Sequence, residues 1–355
     1  MGSEPQFSVV STSSRLYAIV LWALDLKPQF KAYSYRLVKY TGVRPLINKN
    51  VHRIQAWGLT PTKLITTYKG SHMTTLVIGA TGNVGRPTIA GLLAKGESVR
   101  ALSRSEEKLR GLPDGVEGIV GDLQSGDGLD AACAGVDKLF LITANGETET
   151  TRGLNAVAAA KTAGVKHLVF LTVGNPNKEP EVPHYRAKLP VEDAIRNSGM
   201  EHTFLRPNFF MQTDMSIVPV IKKFGVYSMP IGSIGQNRVD TRDIADCAVR
   251  VLTEDGHAGA DYSLHGPDTV TGPEAATMYA KHLGKEVNYG GDDVDQWGKP
   301  VEGMIPPWLL DSLKKMFLGQ QLNGGVASAE EVAASADAVG HPLRTFEEFA
   351  AEVSA

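Results

Sequence analysis

The chain has little cysteine: among its 355 residues, only Cys133 and Cys247 carry a thiol. Two thiols so far apart in sequence provide neither the ligand spacing of a metal site nor a disulfide framework. We therefore expect two reduced thiols in helices or at helix ends, no bound metal, and a cytoplasmic protein.

A long apolar run is also missing. The most apolar early stretch, residues 16–26, is too short to span a bilayer and contains Asp25. It has no clear small-residue cleavage site, so it is not a convincing secretory signal. An excess of positive charge is absent as well, because 36 Lys and Arg face 39 Asp and Glu. Membranes and nucleic acids are therefore not expected as partners.

Acidic residues are scarce in residues 1–72, which contain 10 Lys and Arg but 2 Asp and Glu. This shift in charge predicts a domain boundary. Residues 70–73 read Gly-Ser-His-Met, the residues that a common cloning site leaves after a tag is removed. Alternatively, the codons before Met73 contain a ribosome-binding sequence, Met73 is the natural start, and residues 1–72 are translated upstream DNA. We expect residues 1–72 to be a non-native or wrongly assigned extension and residues 73–355 to form the domain. The alternative is a basic transit peptide or partner-binding arm.

What the sequence does contain is a glycine turn between an apolar run at 75–79 and a helical pattern at 84–95. Gly79, Gly82 and Gly85 have the spacing G-x-x-G-x-x-G. In a dinucleotide-binding turn, the first glycine allows the tight turn, the second allows close approach of a pyrophosphate, and the third allows the helix to pack on the strand. An ordinary strand-to-helix turn is the alternative.

Strand and helix patterns alternate after this turn, which predicts a Rossmann-type α/β fold. We expect a doubly wound parallel sheet with helices on both faces and a small C-terminal α+β lobe, mainly from about residue 210 onward. The helix predicted at 150–163 is expected to bury Leu154, Val157, Ala158 and Ala160. The predicted strands are 75–79, 98–102, 116–123, 138–142, 167–174 and 201–205, and the other predicted helices include 127–134, 242–253, 273–283, 328–338 and 344–354.

Charged residues after the second predicted strand indicate which cofactor is bound. Arg104 offers a planar fork that suits the 2′-phosphate of NADP, and Lys108 one helical turn later adds a second charge. Glu106 and Glu107 partly offset this basic patch, and solvated surface charges are the alternative. The pattern favours NADP, with NAD as the other cofactor.

Polar residues that follow the third and fourth predicted strands are expected beside the cofactor, because carboxyl ends of parallel strands line the ligand crevice. Asp122 is expected to accept a hydrogen bond from the adenine amino group, and Leu123 beside it is also expected to contact the cofactor. An equal alternative is that Asp122 caps a helix that begins near Gly126. Thr143 ends the fourth strand and is expected to border the cofactor.

The segment after the fifth predicted strand is expected to hold the reacting end of a nicotinamide. A polar loop at 175–183 precedes a helix in which Lys188, Val191, Glu192 and Ile195 share one face, and Pro190 fits its first turn. After the sixth strand, Phe209 and Phe210 would form a wall beside a flat ring. Core packing is the preferred interpretation for one of them.

Together these residues resemble the NmrA-like branch of the atypical short-chain dehydrogenases/reductases. The resemblance covers residues 74–355. The motifs that carry it are Gly79–Gly85, Arg104, Gly121-Asp122-Leu123, Lys188 with Glu192, Ser198-Gly199, Leu205-Arg206-Pro207-Asn208, Val239–Ala245 and Leu283–Val287.

The resemblance implies roles for several residues. In that family the glycine turn binds the pyrophosphate, and the arginine matched by Arg104 binds the NADP phosphate. In this chain the cofactor-binding residues of the turn would be Gly79, Thr81, Gly82, Asn83, Val84 and Gly85. The segment that contains Pro207, Asn208 and Phe209 would contact the nicotinamide half.

The wider superfamily uses a serine and a Tyr-x-x-x-Lys motif, and this chain departs from that pattern. Lys188 matches the lysine. Thr172 lies near the serine position and is expected to bind the cofactor. His184 stands where the tyrosine would be, and Tyr185 is one residue out of register.

The family includes NAD(P)H-dependent quinone, azo-dye and triphenylmethane-dye reductases, together with non-catalytic NAD(P)-binding regulators. We therefore expect a reductase that passes hydride from NADPH to a small planar acceptor. Lys188 would hold the ribose or stabilise negative charge, and His184 or Tyr185 would supply the proton. The alternatives are a redox sensor that acts on a protein partner and, less favoured, an epimerase or lyase. A homodimer is left open, and residues 297–321 would pack the lobe or cover the pocket.

Overall fold

The computed structural model describes residues 73–174 and 181–355. The expected extension at 1–72 and most of the polar loop at 175–183 lie outside these residues. The strands of the described residues are β1 (Thr74–Ile78), β2 (Ser98–Ser103), β3 (Val116–Val120), β4 (Lys138–Ile142), β5 (His167–Leu171), β6 (Glu201–Pro207), β7 (Val226–Tyr227), β8 (Gln236–Asn237), β9 (Asp261–Leu264), β10 (Thr269–Val270) and β11 (Asn288–Tyr289).

Helices follow most of these strands, as the alternation predicts. Short 3-10 helices span Met211–Ser216 and Lys299–Val301. The α-helices of the described residues are α1 (Gly85–Ala94), α2 (Glu106–Arg110), α3 (Leu129–Cys133), α4 (Glu149–Ala163), α5 (Pro183–Arg186), α6 (Leu189–Arg196), α7 (Val218–Phe224), α8 (Thr241–Thr253), α9 (Gly272–Leu283), α10 (Val294–Gly298), α11 (Pro307–Asn323), α12 (Ala329–Val339) and α13 (Phe346–Ser354).

Seven parallel strands form the main sheet in the order β3-β2-β1-β4-β5-β6-β9. In register, Val77 of β1 lies opposite Ala101 of β2 and Phe140 of β4. The strand order reverses at β1, because the chain moves to one side of it through β2 and β3 and to the other side from β4 onward. This reversal opens a crevice at the carboxyl ends of β1 and β4, where ligands bind in open α/β sheets. The doubly wound fold is confirmed.

Both faces of the sheet are covered, and the two layers use alternate residues of each strand. On one face, Val77 and Phe140 pack with Ile89 of α1 and Ile244 of α8. On the other face, Leu76 and Leu139 of the same strands pack among α3, α4 and α6, and both leucines are fully buried. Complete burial of one leucine side chain stabilises the fold by about 1.5–3 kcal/mol.

The buried face of helix α4 differs from the predicted one. Leu154 is 38% exposed and Ala158 is exposed, whereas Val157 and Ala160 are buried as expected. The helix instead turns Gly153 towards α6, so closely that a Cβ on Gly153 would lie 2.4 Å from Val191 Cγ2. The side that permits the closest packing, rather than the largest apolar side chain, determines which face is buried.

A third apolar cluster comes almost entirely from residues after β6. It contains Tyr227, Tyr279, Phe317 and Phe346, all buried. At its centre Arg238 and Asp214 form a fully buried ion pair of 2.7 Å. Arg238 Nη2 also donates to the Phe210 carbonyl, which connects the end of β6 to this C-terminal lobe.

Cys133 and Cys247 lie buried in α3 and α8 with no disulfide. Burial raises the pKa of the Cys133 thiol to about 11 and that of Cys247 to about 12. Both thiols are therefore protonated and unreactive at neutral pH. Within residues 73–174 and 181–355, every helix is either too short or too polar to cross a bilayer.

Candidate functional site

The glycine turn lies where the strand order reverses, at the carboxyl end of β1. Gly79 has φ +83°, and a Cβ on it would lie 2.7 Å from Ile142 Cβ. A Cβ on Gly85 would lie 2.2 Å from the Gly79 carbonyl oxygen, so helix α1 needs glycine there. At Gly82, a Cβ would meet only that oxygen at 3.4 Å, an ordinary contact. Protein packing therefore requires glycine at 79 and 85 but not at 82, which leaves open space there for a ligand.

Backbone donors at this turn are free to bind an anion. The N–H of Gly82 donates to the Gly79 carbonyl at 3.1 Å, which closes the turn. Within the described part of the chain, the N–H groups of Asn83, Val84 and Gly85 donate to no carbonyl. Unpaired N–H groups at the start of a helix favour phosphate oxygens. The turn therefore fits a pyrophosphate in both space and charge.

The basic residues after β2 have the exposure that a phosphate site requires. Arg104 follows β2 directly and is exposed, and Lys108 is exposed on α2. Glu106, expected to offset their charge, instead pairs with Arg110 at 2.8 Å. Neither Arg104 nor Lys108 has an ion-pair partner among the residues that the structure describes. Their assignment to the 2′-phosphate stays a prediction.

Arg86 braces the glycine turn, a role that the sequence analysis missed. Its Nε donates to the Thr81 carbonyl at 3.2 Å, and its Nη1 donates to the Gly111 carbonyl at 3.0 Å. These two bonds connect the turn to the residue that follows α2. No sequence signal identifies this role, because it depends on where Gly111 lies in space.

Asp122 does not cap a helix, so that alternative is wrong. Its Oδ1 accepts the Gln124 N–H at 2.8 Å, which makes a local turn. Helix α3 begins later, with Gly128 in the cap position. The half-buried Leu123 packs against the apolar layer under α3, and its carbonyl accepts from Asn155. Contact of either residue with adenine stays a prediction.

A buried ion pair lies beyond the ends of β4 and β5. Lys188 Nζ lies 2.5 Å from Glu149 Oε1 and 3.4 Å from Thr143 Oγ1. The Thr143 hydroxyl donates to the same Glu149 oxygen at 2.7 Å. The three side chains are almost completely buried, and Glu149 Oε2 has no partner within the described residues. The sequence analysis missed Glu149; an acidic residue at the start of an otherwise Ala-rich helix is the one available signal.

Thr172 is held by a second buried acid. Its hydroxyl donates to Glu192 Oε1 at 2.6 Å, and Arg206 binds both oxygens of that carboxylate at 2.9 and 2.8 Å. Burial opposes the charge of Glu192, but the hydrogen bonds from Arg206 and Thr172 hold its pKa below the ordinary value. The Thr172 hydroxyl hydrogen is therefore committed to Glu192.

His184 and Tyr185 are in contact, with ring centroids 4.7 Å apart. His184 is buried, and its Nδ1 lies 2.6 Å from the Ser312 hydroxyl of α11. Burial, followed by the charge of Lys188, lowers the pKa of His184 to about 4. The imidazole is therefore neutral at neutral pH. Its position, one turn before Lys188, matches the spacing noted in the sequence.

The end of β6 is tied to the C-terminal lobe. Pro207 is buried. Asn208 donates to the Gly325 carbonyl at 2.7 Å and accepts from the Phe209 N–H at 2.7 Å, so its side chain is already engaged. Phe209 packs edge-on against Phe317 of α11. Contact of this segment with the nicotinamide stays a prediction.

Two expectations about apolar residues are settled. Phe210 packs against the main core, which confirms core packing for one of the two phenylalanines. In the segment 297–321, Met316 and Phe317 are buried and the Trp297 ring lies 4.9 Å from that of Phe317, as packing of the lobe requires. Met304, by contrast, is 78% exposed.

Comparison with known proteins identifies the family of the chain. The model of the NmrA-like family matches residues 71–350. An NAD(P)H azoreductase of Xenophilus azovorans is 33% identical over 281 residues, which cover 78% of this chain and 96% of that protein. A (4-alkanoyl-5-oxo-2,5-dihydrofuran-3-yl)methyl phosphate reductase of Streptomyces griseus is 36% identical over 279 residues, with coverages of 78% and 96%.

A solved structure has the same fold. The NADPH-dependent quinone oxidoreductase of Escherichia coli, complexed with NADPH, superposes with a TM-score of 0.70 at 25% identity. The match covers 78% of this chain and 99% of that one.

Proposed function

The chain belongs to the NmrA-like family, and we infer that it is an NADPH-dependent reductase. It transfers hydride to a small, planar, electron-poor acceptor such as a quinone or an azo dye. The observation that carries this inference is the similarity, above 30% and over almost their whole length, to two proteins that are both reductases. The quinone oxidoreductase with the same fold supports both the cofactor and the acceptor class.

The cofactor would be held by residues at the carboxyl ends of β1, β2 and β3. Thr81, Gly82, Asn83 and Val84 would bind the pyrophosphate, since the space at Gly82 and the unpaired N–H groups fit it. Arg104 and Lys108 would bind the 2′-phosphate, which favours NADP over NAD. Bound NADPH supplies the hydride.

At the reacting end, the protein would supply charge and hydrogen bonds rather than a nucleophile. Lys188 has an ammonium whose charge is balanced by Glu149, so it would act as a fixed donor to a ribose hydroxyl or to developing negative charge. His184 or Tyr185 would bind the acceptor oxygen on which that charge develops. A quinone would tolerate the absence of the superfamily tyrosine, because water can complete the protonation.

One observation favours the second candidate function, a regulator that binds NAD(P) without using it. His184 occupies the tyrosine position and is buried against Ser312. In that case the cofactor would bind but would not be oxidised. A cytoplasmic location and a homodimer stay predictions for either function.

The test is stopped-flow measurement of NADPH oxidation by the full chain with a benzoquinone, an azo dye and a triphenylmethane dye. The Lys188→Met variant is the control. We expect saturable oxidation with at least one acceptor and a large loss in the variant. NADPH binding, measured by calorimetry, without oxidation by any acceptor would support the regulator, and absence of binding would contradict both functions.

We also propose that residues 73–355 contain the whole reductase and that residues 1–72 do not contribute to it. The family match supports this, since it begins at residue 71. Residues 73–355 produced alone should bind NADPH and reduce the same acceptors as the full chain. An insoluble or inactive product, beside an active full chain, would show that residues 1–72 are needed.

A further inference from the structure

Ser312 and His184 connect two parts of the fold that are 128 residues apart in sequence. Ser312 lies on α11, and His184 lies on α5, just before Lys188. The Ser312 hydroxyl oxygen accepts the His184 backbone N–H at 3.2 Å and lies 2.6 Å from His184 Nδ1. Ser312 has no exposed surface, and His184 is 6% exposed.

The hydrogen of the Ser312 hydroxyl has one acceptor within reach. A serine on a helix commonly donates to the carbonyl four residues earlier, as the equally buried Ser335 does to Glu331. Ser312 makes no such bond within the described residues, and its side chain has no exposed surface. Because a buried hydroxyl hydrogen rarely goes unpaired, Ser312 donates to His184 Nδ1.

This bond determines the tautomer of the histidine. A neutral imidazole carries one hydrogen, so a ring that accepts at Nδ1 carries its hydrogen on Nε2. Burial together with the nearby Lys188 charge keeps the ring neutral. Among the described residues nothing is hydrogen-bonded to Nε2, so that N–H is available to a ligand.

We propose that Ser312 is a positioning residue that holds His184 in the Nε2–H tautomer, so that His184 offers the acceptor a neutral hydrogen-bond donor. The proposal rests on the proposed reductase function. As hydride adds to the acceptor, the electron pair displaced to oxygen forms an oxyanion, which the Nε2–H group stabilises. The proton that completes the reduction then comes from water, and His184 keeps its own.

The position of Ser312 gives this arrangement a further consequence. Helix α11 supplies Phe317, against which Phe209 packs, as well as the hydroxyl that orients His184. The donor is therefore oriented only while α11 is seated on α5. A helix of the C-terminal lobe thus helps to assemble the reacting end of the site.

The first test reads the tautomer directly. Nitrogen NMR of the full chain with labelled histidine, with His184 identified by its loss in His184→Gln, should show hydrogen on Nε2. Ser312→Ala should lose the fixed tautomer, and Ser312→Thr, which keeps the hydroxyl, should retain it. Ser335→Ala is the matched control, since it removes another fully buried helix hydroxyl and should leave His184 unchanged.

The second test separates orientation from binding. Ser312→Ala should lower kcat for quinone reduction by about tenfold, the value of one hydrogen bond, with KM for NADPH unchanged. Ser312→Thr should retain most of the kcat of the unmodified chain. Hydrogen on Nδ1 in the unmodified chain would overturn the proposal, as would an unchanged tautomer and kcat in Ser312→Ala. The NMR result decides the tautomer even if no acceptor is reduced.

Discussion

Lys188 and Glu149 form an ion pair in which both side chains are almost completely excluded from solvent, with exposed fractions of 5% and 0%. Glu149 begins α4 and Lys188 directly precedes α6, so the pair joins two helices on one face of the sheet. The buried charges cancel, and the lysine is left in one position. Lys188, which matches the superfamily motif, is thus held in position by Glu149, which belongs to no motif.

Removal of the acid should be costly, because it leaves the Lys188 ammonium buried without a counter-charge. For Glu149→Gln, we expect the free energy of unfolding to fall by about 3 kcal/mol or more. Urea unfolding measures this change. The control is Asp311→Asn, which breaks the exposed pair with Lys315 and should cost less than about 1 kcal/mol. Equal losses in the two variants would contradict a structural role for the buried pair.

Two glycines of the same turn should respond differently to an added methyl group. Gly85→Ala forces a Cβ against the Gly79 carbonyl oxygen, so the free energy of unfolding should fall by about 2 kcal/mol or more. Gly82→Ala meets no such obstacle, so the protein should stay folded, while its dissociation constant for NADPH rises about tenfold or more. Thermal unfolding and calorimetric titration measure the two effects. Normal NADPH affinity in Gly82→Ala would show that the pyrophosphate binds elsewhere.

Cofactor choice depends on Arg104. We expect Arg104→Ala to raise the dissociation constant for NADPH about tenfold or more, because a charged hydrogen bond to the 2′-phosphate is lost. The dissociation constant for NADH should change little. Arg110→Ala, on the neighbouring helix, is the control and should leave both affinities unchanged. If NADPH binding in Arg104→Ala fell no more than NADH binding, the phosphate assignment would be wrong.

The sequence predicted local features well and spatial pairings poorly. Gly79 and Gly85 could be interpreted from spacing, because a strand followed by a helix forces a tight turn between them. Glu149 and Ser312 could not be found, since their partners lie 39 and 128 residues away. The prediction of the buried face of α4 was partly wrong, because many small Ala and Gly residues give the hydrophobic periodicity of this helix little contrast. Packing against Val191 decides that face, and only the assembled fold brings Val191 there.

Acid should destabilise the protein partly through two buried histidines. Burial lowers the pKa of both His167 and His184 to about 4, from 6.5. Below about pH 6.5 the unfolded chain binds protons that the folded chain does not, so stability falls with pH until the folded pKa is reached. Each histidine should lower the free energy of unfolding by about 2 kcal/mol between pH 7 and about pH 5, at about 1.4 kcal/mol per unit of pKa.

His167→Gln isolates one of these contributions, because His167 lies outside the proposed site. Its Nε2 is 2.9 Å from Thr203 Oγ1, whose hydroxyl donates to the His257 carbonyl, so His167 is the donor to Thr203. Glutamine keeps an N–H donor for that bond and does not titrate. Urea unfolding at both pH values should therefore show a smaller acid loss for His167→Gln than for the unmodified chain. His341→Gln is the control: hydrogen bonding to Pro342 and the adjacent Asp246 raises the pKa of His341, so its removal should not reduce the acid loss. An acid loss in His167→Gln as large as in the unmodified chain would show that His167 is not held neutral in the folded protein.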